Sequence, residues 1–135
     1  MNNLSVISDL FVIRLQMIWR PPGRTETHGG LTVWGEFCYS SPSANNTMPS
    51  FYGVGVAYQG LIFRRSRDSL NIGSIYGGFS RYLPGQTVER VYELNYHWNP
   101  EAWLNVVPDF QYVVRPSGFN VPGAAVFGVQ LNVTL

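Results

Sequence analysis

Two consecutive stretches of the sequence carry most of the side chains that could exchange hydrogen bonds with a ligand. Polar side chains recur at alternate positions in both stretches. They are Glu89, Glu93, Asn95 and His97 in the first stretch and Asn105, Asp109 and Gln111 in the second. Successive side chains of a β-strand point to opposite faces, so each set would share one face of its strand. Carboxylates and amides placed in this way could exchange hydrogen bonds with hydroxyl groups.

The same residues give no pattern typical of an enzyme or a metal centre. Glu89 and Glu93 would lie about 13 Å apart along a strand, whereas paired carboxylates that hydrolyse glycosides lie about 5 to 9.5 Å apart. His28 and His97 are isolated, and Cys38 is the single cysteine, so no metal-ligand spacing occurs. We therefore expect neither catalysis, nor a cofactor, nor a bound metal.

Residues 102–116 show most clearly which kind of element positions these side chains. Their even positions are apolar or aromatic, as Leu104, Val106, Pro108, Phe110, Tyr112 and Val114, and the alternate positions include Asn105, Asp109 and Gln111. A period of two predicts a strand between an apolar and a wet environment. At about ten residues, a tilted strand of this kind is long enough to cross a bilayer.

Similar alternation predicts seven strands, over residues 10–20, 31–40, 52–62, 70–82, 88–98, 102–116 and 124–135. In the first, Phe11, Ile13, Leu15, Met17 and Trp19 would form the apolar face, opposite Arg14 and Gln16. In the fourth, the apolar positions change parity, which predicts a β-bulge near Gly73. The connections are short enough for antiparallel neighbours, so the predicted fold is an all-β, antiparallel up-and-down meander in one domain, residues 1–135.

Alternation alone does not decide whether the apolar faces contact lipid or a protein core. A soluble β-sandwich, for example a carbohydrate-binding module, would show the same pattern. Charged residues make up 13% of the chain and aromatic residues 15%, and all nine basic residues are arginine, whereas soluble domains contain about 25% charged residues. Aromatic residues also end several apolar faces: Trp19, Tyr39, Tyr52, Trp98 and Tyr112. These features favour a membrane β-barrel.

Composition and the first residues bear on partners and targeting. The formal net charge of +1 is too small for an electrostatic footprint on nucleic acid. No apolar run approaches the length of a transmembrane helix. The opening residues 1–19 lack a basic segment and a cleavage site, so we expect no signal peptide in this chain.

The motifs of the second half resemble the OprB family of carbohydrate-selective porins. The run YELNYHWNPEAWLNVVPDFQYVVRPSG, followed by AAVFGVQLNVTL, matches the family's motifs at Glu93, Tyr96, Trp103, Leu104, Pro108, Asp109, Gln111, Tyr112, Pro116, Gly118, Gly128 and Leu131. Upstream, YQGLIFRRSRDSLNIGSIYGGFS resembles the family's Y-x-G-L, R-x-x-D-x-L-x-x-G and F-S elements. The resemblance implies the last seven strands of a sixteen-stranded outer-membrane barrel that passes sugars by diffusion.

On this resemblance, the polar faces would line the lumen of a channel. The residues that we expect to face the lumen or the sugar path are Arg14, Glu36, Arg81, Glu89, Glu93, Asn95, His97, Asn105, Asp109, Gln111 and Arg115. Two interpretations stay open for them: a constriction that contacts sugar, or a general wet wall held in register by cross-strand pairs. A porin piece without transport of its own is a further alternative.

The resemblance also implies surroundings for the chain. Expected partners are small carbohydrates, membrane lipid and lipopolysaccharide, together with either further copies in a homotrimer or the N-terminal part of the barrel. If the last strand ends in the periplasm, SPSANNTMPS, LPGQT and RPSGFNVPG lie outside, and the arginine cluster at residues 64–67 lies on the periplasmic side with NPE. Seven strands by themselves would make an incomplete barrel with two open edges.

Overall fold

The computed structural model describes residues 10–22, 29–41, 46–62 and 64–135. They form one seven-stranded sheet in which each strand pairs antiparallel with its neighbour in sequence. The strands are β1 (Leu10–Trp19), β2 (Gly30–Tyr39), β3 (Ser50–Gln59), β4 (Ser69–Gly78), β5 (Val88–Glu101), β6 (Leu104–Val114) and β7 (Ala124–Val133), with a 3-10 turn at Pro116–Gly118. The predicted all-β meander is confirmed.

The sheet is a single layer. Among the described residues, the buried apolar side chains are Val107 and Pro49, and every residue of β1 and β7 is exposed. A soluble sandwich requires a second sheet packed about 10 Å away, and the described part of the chain contains no such layer. The described residues also include no helix that is long and apolar enough to cross a membrane.

The predicted bulge near Gly73 is wrong. Strand β4 pairs residue by residue with β3 and with β5 along its whole length, without a shift in register. Ile75 lies on the polar face, and Phe79 follows the end of the strand. The prediction failed because it required every large apolar residue of the segment to share one face.

The predicted orientation of β1 is also wrong. Ile13 pairs with Glu36 and Leu15 with Trp34, so these apolar residues share the face that bears the polar side chains of β2. Arg14 pairs instead with Gly35 on the apolar face, where it donates a hydrogen bond to Gln16 over 3.0 Å. Alternation shows which residues of one strand share a face. The pairing register decides which of these faces continues the apolar face of the neighbouring strand, and a shift of one residue exchanges the two faces.

The apolar face has the layered composition of a membrane-spanning surface. Its middle row, one residue from each of β2 to β7, is Val33, Val56, Ile72, Leu94, Phe110 and Phe127. Towards one end it carries Tyr39, Tyr52, Tyr76, Tyr92 and Tyr112, and towards the other Trp19, Tyr58, Tyr96 and Trp98. Ten-residue strands tilted by about 45° span about 24 Å, close to the apolar band of outer-membrane barrels.

The connections gather at the two ends of the sheet as predicted. Asp68 of the β3–β4 turn accepts a hydrogen bond from the backbone N–H of Asn99, near the C-terminal end of β5; we call this the turn end. Opposite, the N–H of Ser80 donates to the carbonyl of Thr47, and the N–H of Thr87 donates to that of Gly118; we call this the loop end. Which end faces the periplasm stays a prediction.

Asp68 organises the turn end. The residue is 2% exposed, and its carboxylate accepts hydrogen bonds from Arg65 at 2.7 Å, the Tyr96 hydroxyl at 2.8 Å and the Asn99 N–H at 2.8 Å. Burial opposes ionisation, but these donors together with the charge of Arg65 outweigh it, so the pKa of Asp68 lies below its ordinary 3.8. The carboxylate thus ties the β3–β4 turn to the end of β5.

We expect Asp68→Asn to lower the free energy of unfolding by about 2 kcal/mol at pH 7, because the three donors lose a charged acceptor. A lowered pKa means that this contribution is complete above about pH 4 and is lost as the pH falls through the folded-state pKa. Urea titrations in detergent micelles at pH 7 and pH 2.5 would measure it. Arg67→Gln, which changes a charge in the same turn, should change stability little; a D68N deficit that persists at pH 2.5 would contradict the assignment.

Candidate functional site

The polar face of the sheet brings most of the predicted residues of β5 and β6 side by side. Glu93 pairs with Gln111 and Asn95 pairs with Asp109, so the expected neighbourhood of the two strands is confirmed. Asn95 donates to Glu93 over 2.6 Å, and Gln111 donates to Asp109 over 2.9 Å. On β4, Asn71 extends the row by donating to the Asn95 side-chain oxygen over 2.7 Å.

An open groove of about 370 Å³ follows this row across β5, β6 and β7. His97 and Gln130 line it together with Glu93, Asn95 and Asp109. The Oδ1 atom of Asp109 is buried at the groove and has no hydrogen-bond partner. A buried carboxylate oxygen without a donor is costly, and a hydroxyl entering the groove could supply one.

Three of the predicted residues lie away from this groove. Arg81 is exposed in the β4–β5 connection with its guanidinium against Tyr82, and Arg115 follows β6, where it donates to the Thr87 hydroxyl. Glu89 points to the polar face at the loop end, where its carboxylate accepts from the N–H of Ser117. The sequence predicts that the fourth strand reaches residue 82, but β4 ends at Gly78, so Arg81 is not part of the sheet.

Two further predicted residues flank the row. Asn105 lies towards the turn end, where it accepts from Asn132 over 2.9 Å and donates to Asn99 over 3.1 Å. Glu36 lies on β2, opposite Gly53. Arg14, by contrast, is on the apolar face and is therefore not placed with these residues. The structure thus assembles a polar surface centred on β5 and β6.

The sequence prediction omitted Trp34, a large aromatic side chain beside this row. Alternation in the sequence puts Trp34 on the polar face of β2, and the glycines of β3 indicate a close backbone approach or strong curvature. In the sheet, Trp34 shares a row with Gly55, Gly73 and Glu93. The glycines were the available signal, but which side chain would cover them depends on the pairing of three strands.

Comparison with known proteins places the chain in a family. The model of the carbohydrate-selective porin, OprB family, matches residues 7–135. A solved structure of OprB from Pseudomonas putida at high pH is similar, with a TM-score of 0.80 and 23% sequence identity over 91% of this chain and 34% of that one. At this identity the likeness shows the fold, and the chain spans about one third of that structure. No match was found among curated proteins. The extent of the family match shows that the chain belongs to the OprB family of carbohydrate-selective porins.

Proposed function

We propose that this sheet forms part of the wall of an outer-membrane channel through which sugars pass by diffusion. The observation that carries the proposal is the contrast between the two faces of a single-layered sheet. From β2 to β7, one face is apolar between two aromatic bands, and the other carries a hydrogen-bonded row of acids and amides. Lipid would cover the first face and water the second, as in membrane barrels.

Family membership supports the sugar as the transported class. The polar row offers carboxylate and amide groups in a groove wide enough for small hydroxylated molecules. In this proposal the exposed edges of β1 and β7 pair with further strands of a closed barrel, because unpaired backbone groups in lipid cost several kcal/mol each. The outer membrane, with its lipid and lipopolysaccharide, is the corresponding location.

Osmotic swelling of liposomes tests the proposal. The chain refolded into liposomes, where further copies can pair with the edges of β1 and β7, is expected to admit D-glucose, so the vesicles swell in isotonic glucose and much less in an isotonic tetrasaccharide. Empty liposomes are the control, and flotation of the chain with the vesicles after a urea wash reports insertion. Inserted chain that gives no glucose swelling would reject transport by this chain and favour a porin piece without activity of its own.

A further inference from the structure

The indole of Trp34 lies against three glycines, Gly53, Gly55 and Gly73. A Cβ atom added at Gly55 would lie 2.6 Å from the indole Cε2 and Cζ2 atoms, and one added at Gly73 would lie 2.8 Å from Cζ2. At Gly53 the corresponding distance to Cζ3 is 3.1 Å. The indole therefore crosses β3 and reaches β4 directly above their backbones, and three positions without side chains make room for it.

Hydrogen-bonding groups lie next to this ring at the level of the glycines. Glu93 is the residue paired with Gly73, and Asn95 is paired with Asn71. These three polar residues and Trp34 line a cleft of about 50 Å³. The amide of Asn71 donates to Asn95, and Asn95 donates to Glu93, so the carboxylate and amides are held in fixed orientations beside the edge of the indole.

A pyranose ring has the complementary shape and chemistry. Its C–H groups form an apolar face that packs on an aromatic ring, while its hydroxyls radiate near the ring plane and require donors and acceptors. With one indole face on the glycine backbones, the opposite face is turned away from the sheet. Glu93 and Asn95 then lie where the hydroxyls of a stacked sugar would be.

We propose that Trp34, fixed on Gly53, Gly55 and Gly73, is a stacking platform for a pyranose, with Glu93 and Asn95 as its hydroxyl partners. The subsite presupposes the sugar channel proposed above and assigns its substrate as a cyclic sugar rather than an open-chain polyol. If Trp34 were a space-filling residue alone, its replacement would alter stability but would not alter the response to a sugar ring.

Saturation-transfer NMR on the chain refolded in deuterated detergent tests the platform. Irradiation of aromatic protons is expected to saturate the ring C–H protons of D-glucose and much less those of sorbitol, which lacks the ring. Trp34→Ala should weaken glucose binding about five- to tenfold, and Trp34→Phe should retain part of it. Equal transfer to glucose and sorbitol would overturn the stacking assignment.

Two glycine variants separate the platform from general damage. Gly73→Ala should displace the indole and weaken glucose binding as W34A does, because the added methyl would meet Trp34 at 2.8 Å while its next neighbour, the Val54 carbonyl, is 3.5 Å away. Gly35→Ala, on the opposite, apolar face with its nearest neighbouring atom 3.8 Å away, should bind as the wild type does. Circular dichroism checks that each variant folds. If W34A does not fold, W34F and G73A decide whether glucose binding depends on the Trp34 indole.

A negative result in the binding assay and a negative result in the swelling assay reject different proposals. Wild-type binding unchanged in W34A and G73A would overturn the platform, even where liposomes swell in glucose. Absence of swelling with Trp34-dependent glucose binding intact would reject transport by this chain and leave the sugar subsite in place.

Discussion

Phe110→Arg is expected to lower the free energy of unfolding in lipid by about 2–4 kcal/mol, the cost of an arginine at the lipid-facing midplane of a barrel. Phe110 lies in the middle row of the apolar face, between Leu94 and Phe127, and its ring centroid is 4.8 Å from that of Phe127. The substitution would place a guanidinium in hydrocarbon and remove this aromatic contact. The cost is large because lipid offers the charge no water.

The neighbouring residue is the matched control. Gln111 is on the polar face beside Asp109, so Gln111→Arg should change stability by less than about 1 kcal/mol, since its charge faces water and a carboxylate. Urea titration of both variants in phospholipid vesicles, followed by tryptophan fluorescence, measures the difference. Similar losses for F110R and Q111R would contradict the assignment of the two faces. A wild-type chain that is monomeric in buffer without detergent would argue against a lipid-facing surface altogether.

Gly118→Ala is expected to lower the free energy of unfolding by about 2–4 kcal/mol, through two separate penalties. Gly118 has φ 74°, a left-handed conformation that costs a residue with a Cβ about 1 kcal/mol. The added methyl would also overlap the ring of Phe79 and lie 3.1 Å from the backbone nitrogen of Thr87. The same residue holds the loop end, because its carbonyl accepts from the N–H of Thr87.

Gly85 separates these penalties. It has φ 77°, but a Cβ there would lie 3.6 Å from the nearest atom of Phe119, an ordinary contact. Gly85→Ala should therefore cost only the conformational term, about 1 kcal/mol. Parallel urea titrations in detergent micelles give the comparison. If G118A is no more destabilising than G85A, the close packing of Phe79 against Gly118 is not important for stability.

The sequence predicted the seven strands because a period of two is a local property that each strand carries by itself. Five of the predicted strands also have the expected faces, the exceptions being β1 and β4, and the short connections gave the order of the meander. The adjacency of Glu93 and Gln111, and of Asn95 and Asp109, followed from one hairpin between consecutive strands. The orientation of β1 did not follow: both of its faces carry large apolar residues, so hydrophobicity specifies its register weakly.

In the candidate site, too, the sequence predicted one part and the pairing of the strands decided the other. Alternation alone placed the acids and amides of β5 and β6 on one wet face, because their chemistry and spacing are written along each strand. Only the paired sheet decided that Arg14 lies on the apolar face and that Arg81 and Arg115 lie in connections. The sheet likewise decided that Trp34 covers Gly55 and Gly73, since that contact requires the registers of β2, β3 and β4 together. The physical reason is range: side-chain alternation is set within a strand, whereas a contact across three strands depends on every register between them.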